Sequence, residues 1–265
     1  MASFGDSSRE DLSLTTFYFS IPRVTRFWLS ATSLLTVACG LGIVPARAVI
    51  LDWERVVRMA ELWRPLTSSL LLGPLGIGFL FDLVFLYRFS RALETDVFLG
   101  SAAEYTWMLV VVDLFLLIVS AVVTPIPTLG RPLMMAIMHV WSRNFPRERV
   151  HVFIFAVPAA YLSFALILIN TLLMGGLDIS GVLGVVCGHL FYFLHTIYPS
   201  LQGSENRKVI NTPQFMYRLF GEQLRRGFIS QREPESRVRN EAIFSQIRGH
   251  RWGAGRRLGA TDGVN

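Results

Sequence analysis

Residues 184–199 read GVVCGHLFYFLHTIYP. Extended back to Ile179, they form an apolar run long enough to cross a bilayer, which takes about 20 helical residues. His189 stands in the middle of that run. An ionisable side chain in hydrocarbon is costly, so it marks a helix interface, a hydrated cavity or a chemistry. Gly184 and Gly188 are four residues apart on one helix face, a spacing that lets a second helix approach closely. The fold and the function both turn on which helix arrives there and what it brings to His189.

Working outward, five more apolar segments appear, at about 25–44, 76–93, 105–126, 130–143 and 152–174. With 179–198 they make six candidate spans. The third, fifth and sixth are long enough to cross unaided, whereas the second and fourth have short apolar cores and could be re-entrant or buried. The chain has 265 residues, 52% of them hydrophobic, and a mean hydropathy of +0.46. That is too apolar for an ordinary soluble domain, and the alternating patterns of a β-barrel are absent. The expected fold class is an all-α polytopic membrane protein.

The net charge of +6 is carried almost wholly by arginine. With both ends of a six-span chain in the cytosol, every basic residue falls on the cytosolic side except Arg47, Arg55, Arg58, Arg64 and Arg131. That bias orients the spans. It also accounts for the charge without a nucleic-acid partner. Cys39 and Cys187 sit in apolar runs and form neither a disulfide framework nor a metal-ligand spacing. The first 24 residues lack a basic stretch followed by an apolar core, so the first span is expected to act as an uncleaved targeting signal. The expected organisation is a cytosolic segment 1–24, a membrane domain 25–199 and a basic, mostly disordered cytosolic tail 200–265.

The loop 45–75 repeats Val49, Trp53, Val56, Val57, Ala60 and Trp63 at helical spacing. It is expected to be an amphipathic helix in the interface, with tryptophans at headgroup depth. Arg64 would snorkel to headgroups or cap the helix end. Asp82 and Asp113 would sit near helix ends, pair with an arginine such as Arg88, or line a hydrated cavity, and His139 would be structural. If His189 were a general base it would need a nucleophile within about 3 Å. Ser180 lies nine residues earlier, roughly 13 Å along the same helix. A partner must come from another span, and the fourth has no serine before Ser142.

Four stretches together resemble the derlins, the rhomboid-like pseudoproteases of the endoplasmic reticulum. They are SIPRVTRFWLSAT (20–32), WRPLTSSLLLGPLGIGFLFDLVFLYRFSRALET (63–95), GVVCGHLFYFL (184–194) and NTPQFMYRLF (211–220). The resemblance implies a six-helix rhomboid-like core with an amphipathic interfacial loop between helices 1 and 2. It maps the family's Trp-Arg pair to Trp63 and Arg64 and its Gly-xxx-Gly to Gly184 and Gly188. Active rhomboids carry a serine early in the fourth helix and a histidine in the sixth. Here Gly130–Met135 offers no serine, so His189 would be half a dyad and a packed, hydrogen-bonded helix residue. No catalysis and no cofactor or metal are then expected.

In the tail, Trp252, Gly253, Gly255, Leu258 and Gly259 resemble the short motif by which derlins dock valosin-containing protein, a AAA ATPase. Arg256 and Arg257 depart from that pattern. The resemblance further implies a multi-pass reticulum protein with both termini cytosolic. Its role would be retrotranslocation of misfolded clients in reticulum-associated degradation, beside a membrane ubiquitin ligase complex, in the lipid bilayer, alone or as a homo- or hetero-oligomer. A client-binding scaffold without a passage, and an active protease with another nucleophile, remain the alternatives.

Overall fold

A computed structural model of the chain describes residues 14–152, 155–201 and 210–222. The first apolar segment forms α2 (Arg23–Gly40), preceded by a short α1 (Leu14–Ser20). Three short helices follow in the loop, α3 (Ala46–Val49), α4 (Trp53–Arg58) and α5 (Trp63–Leu70). The remaining apolar segments form α6 (Ile77–Ala92), α7 (Ala102–Val122), α8 (Gly130–Asn144), α9 (Ala159–Met174) and α10 (Ile179–Tyr192). α11 (Tyr198–Leu201) and α12 (Gln214–Leu219) close the described chain.

α7 shows why this is a membrane architecture. Val110, Leu114, Ile118 and Val122 recur every fourth residue and are all exposed, while Tyr105, Met108, Val112 and Leu116 on the other face are buried. A helix bare on an apolar face is unsuited to water and suited to lipid. Two helical runs, Ala102–Val122 and Ile179–Ile197, are long and apolar enough to cross a membrane, and Ala159–Leu173 is a shorter apolar helix. The molecule is mostly helical, consistent with an all-α membrane protein. α8 is short because it meets little lipid: every residue from Pro132 to Ser142 is buried. It is the helix around which the others pack.

Two departures from the hydropathy reading have local causes. The fifth segment begins at Ala159, not near 152, because Arg149–Val152 and Phe155–Pro158 form an antiparallel hairpin, β1 and β2. Ala159 N–H donates to Glu148 O across the hairpin base (2.7 Å). An apolar run rich in valine and phenylalanine reads equally as strand or helix. The expected loop helix is also broken into three, because Ile50 is extended, Asp52 caps α4, and Ala60 is left-handed at φ 55°.

The start of α2 is held from a distance. Its N-cap is Pro22, which has no side-chain acceptor. The buried Glu94 carboxylate accepts instead from Val24 N–H (3.1 Å), Thr25 N–H (2.8 Å) and Thr25 Oγ1 (2.7 Å). Glu94 projects from a widened π turn, Leu93–Val97, that follows α6. A carboxylate on the first-turn amides also opposes the helix dipole. Glu94→Ala would leave two buried amides without acceptors, at about 1–3 kcal/mol each. A clear drop in the detergent unfolding midpoint is expected. An unchanged midpoint would show that water or another group replaces the cap.

Residues 210–222 also pack on these helices. Met216 of α12 is buried, and Glu222 accepts from Ser101 Oγ and from Ala102 N–H, both at 2.8 Å. Tyr217 donates to Glu104 (2.8 Å). Burial and then that bond push the Tyr217 hydroxyl up to about 12, so it remains a donor at neutral pH. The segment after the last span thus caps the start of α7. The tail motif Trp252–Gly259 lies outside the described residues.

Candidate functional site

The helix that arrives at Gly184 and Gly188 is α8. A Cβ at Gly184 would fall on the Pro132 carbonyl, and one at Gly188 would lie 2.7 Å from Ala136 O. Only glycine allows this backbone-to-backbone seam. At its His189 end, His189 Nδ1 lies 3.4 Å from His139 Nε2, which also faces Arg143 Nε at 3.4 Å. His139 is buried, whereas His189 lies on an exposed face, so it is hydrogen-bonded without being packed in.

Among the described residues no serine, threonine or cysteine hydrogen-bonds to His189. Ser142 Oγ donates to His139 O (2.8 Å). Ser180 Oγ is engaged at the other end of α10, donating to Asp178 Oδ1 (2.8 Å), and that oxygen also accepts from Gly181 N–H (2.9 Å). The arrangement can exchange a proton between imidazoles, but it presents no activated nucleophile.

The Trp-Arg pair divides into an outside and an inside member. Trp63 is 55% exposed, as suits an interfacial anchor. Arg64 is 2% exposed and does not snorkel. Its Nη1 donates to Arg47 O (2.9 Å) and Ile50 O (2.8 Å), the carbonyls at the end of α3, while Nε pairs with Glu61. Thr67 Oγ1 donates to the nearby Val49 O (2.9 Å). Trp53, expected at headgroup depth, is half-buried and donates from Nε1 to Ser120 Oγ on α7 (3.2 Å). The loop is therefore a folded cap on the helices.

Asp113 and Asp82 part company. Asp113 accepts from Ser69 Oγ of α5 (2.6 Å) and does not line the cavity that Asp82 faces. That cavity, of about 300 Å³, opens between residues 72–78, α6, α8 and α9. Asp82, Arg131 and Asn170 supply its polar groups, and Met134, Met135 and Met138 part of its apolar wall. Arg88, the expected partner of Asp82, lies instead over the Phe89 ring.

The sequence profile of the Der1-like family matches residues 21–214. Human Derlin-1 is 33% identical over 251 residues, covering 92% of this chain and 97% of its own. Derlin-1 of Caenorhabditis elegans is 30% identical over 256 residues, covering 94% and 99%. Derlin-2.2 of Zea mays is 30% identical over 217 residues, covering 78% and 86%. This chain belongs to the Der1-like family.

Three features of this Der1-like chain escape a sequence reading. Glu94 is one, although the missing cap residue at Pro22 signals that an acceptor must come from elsewhere. Gly130 is another: a Cβ there would meet Leu71 O at 2.5 Å, so the loop end packs directly on α8. The third is His139 as the neighbour of His189, 50 residues away.

Proposed function

We propose that this chain is a non-catalytic component of endoplasmic-reticulum-associated degradation that aids retrotranslocation of misfolded proteins and recruits a AAA ATPase through its tail. In this reading α2 and α6–α10 form a six-helix rhomboid-like core in the reticulum membrane, with both termini cytosolic. Residues 1–24 and the tail from 200 flank it, and a membrane ubiquitin ligase complex works beside it. The observation that supports the non-catalytic reading is the seam of α8 and α10, where His189 meets His139 and, among the described residues, no serine, threonine or cysteine hydrogen-bonds to it.

The physical task is moving polar backbone through hydrocarbon, where each unsatisfied group costs several kcal/mol. Two features support a lowered barrier. α6, at 16 residues, reaches only about 24 Å before its π turn against a hydrocarbon core of about 30 Å, so the bilayer thins or tilts beside it, whereas the short α8 is enclosed by protein. The cavity holding Asp82 and Arg131 brings polar groups into that thinned zone. The pulling work belongs to the ATPase.

Recruitment is tested in cells lacking the chain and complemented with wild type or with Trp252→Ala plus Leu258→Ala. The tail variant is expected to lengthen the half-life of a misfolded reticulum client several-fold and to lose co-precipitation of the ATPase. Client turnover at the wild-type rate would refute recruitment through this motif. A client that depends on the tail yet tolerates every change at Trp63, Arg64, Gly184 and Gly188 would favour a scaffold without a passage.

A further inference from the structure

Asp82 and Arg131 face the same cavity. Among the described residues, however, the ion pairs are Arg55–Asp52, Arg58–Glu54 and Arg64–Glu61, so these two charges are not in contact. Arg131 Nε is buried without a partner. Asp178, outside the cavity lining, makes no ion pair with the guanidinium; its carboxylate accepts from Asn170 Nδ2 (3.2 Å), Ser180 Oγ and Gly181 N–H. Two opposite charges held apart over an open space fit an occupant that itself carries both signs.

The surroundings name the occupant. Leu80 and Val84 of α6 and Leu168 and Leu172 of α9 are exposed apolar residues on the two helices that frame the opening, so it is bordered by lipid-facing surface. Asp82 lies five residues into α6, Arg131 one residue into α8 and Asn170 four residues before the end of α9. All three are within roughly 8 Å of the same end of the bundle, just below headgroup level. Beneath them Met134, Met135 and Met138 offer an adaptable apolar wall suited to acyl chains. Cβ atoms at Gly73, Gly76 and Gly78 would meet nothing within 4 Å, so the segment at the mouth leaves room for a bulky group.

We propose that this cavity binds the headgroup of a zwitterionic phospholipid from the adjacent leaflet, phosphate on Arg131 and ammonium on Asp82. The site draws that headgroup below the level of its neighbours and so thins the membrane where clients enter. An anionic lipid satisfies Arg131 but is repelled by Asp82, and a diacylglycerol satisfies neither. The inference rests on the membrane placement proposed above, and its test reads lipid occupancy alone. It can therefore fail while client turnover stands.

The test uses the delipidated full chain in detergent, titrated with phosphatidylcholine, phosphatidylglycerol, diacylglycerol or tail-free glycerophosphocholine, with bound lipid counted by native mass spectrometry. One phosphatidylcholine per chain is expected at concentrations about tenfold below those needed for phosphatidylglycerol, with glycerophosphocholine unbound. Asp82→Asn, nearly isosteric, is expected to erase or invert that preference, and Arg131→Gln to weaken phosphatidylcholine about tenfold. The Asp82→Asn ratio is read within one folded sample, so instability does not mimic it. Equal binding of the two phospholipids to wild type, or an unchanged ratio in Asp82→Asn, would overturn the proposal. So would a cavity that holds a reduced, carboxymethylated polypeptide and no phosphatidylcholine.

Discussion

Arg64→Ala is expected to unfold the loop that caps the helices and to cost about 3–5 kcal/mol, the usual penalty for breaking a buried charged pair by removing one partner. The guanidinium is 2% exposed and serves three acceptors at once, Arg47 O, Ile50 O and the Glu61 carboxylate. Its loss strands two carbonyls at the end of α3 and a carboxylate beside them. Arg64→Lys keeps the charge but lacks the planar fork, so it should recover less than half of the loss. Trp63→Ala, at an exposed position, should cost under about 1 kcal/mol in detergent, with any larger effect confined to bilayers. Denaturant titration in bicelles ranks the three. A Lys variant as stable as wild type would mean that charge alone, and not the fork, holds the loop.

Gly184→Val is the second large effect. At this position the obstruction is backbone, the Pro132 carbonyl and Cα, which cannot rotate away as a side chain could. Overpacking a well-filled core typically costs about 1–3 kcal/mol, and a clash with backbone belongs at or above the top of that range. α10 must then separate from α8 and carry His189 away from His139. Gly176→Ala, where a Cβ meets nothing within 4 Å, is the matched control and should change stability by less than about 0.5 kcal/mol. Comparable losses at both positions would show that the glycines matter for chain flexibility and not for the seam.

What the sequence discloses here follows from the range of each interaction. α7 is legible as a span because one unbroken run of sequence records its length and apolarity, though not which of its apolar faces stays bare. Gly184 and Gly188 announce a close approach, though not that α8 makes it. Arg64 is ambiguous by nature: a tryptophan-flanked arginine in an amphipathic loop looks the same whether it reaches outward to headgroups or inward to carbonyls. Only the break of that loop at Ile50 creates the carbonyl ends that turn it inward. The hairpin at 149–158 is hidden because valine and phenylalanine satisfy both patterns. Glu94 and its amides, 69 and 70 residues apart in the chain, and the two histidines, 50 apart, leave no local signature at all.

The seam of α8 and α10 is expected to support client turnover without cleaving anything. The most direct measurement follows one misfolded reticulum protein in cells lacking this chain and complemented with wild type or His189→Ala, reading both client size and half-life. His189→Ala is expected to restore turnover at the wild-type rate, with the client disappearing without ever yielding fragments. Fragments produced by wild type and abolished by His189→Ala would contradict it, because His189 would then be acting as a base for a nucleophile that, among the described residues, is not hydrogen-bonded to it.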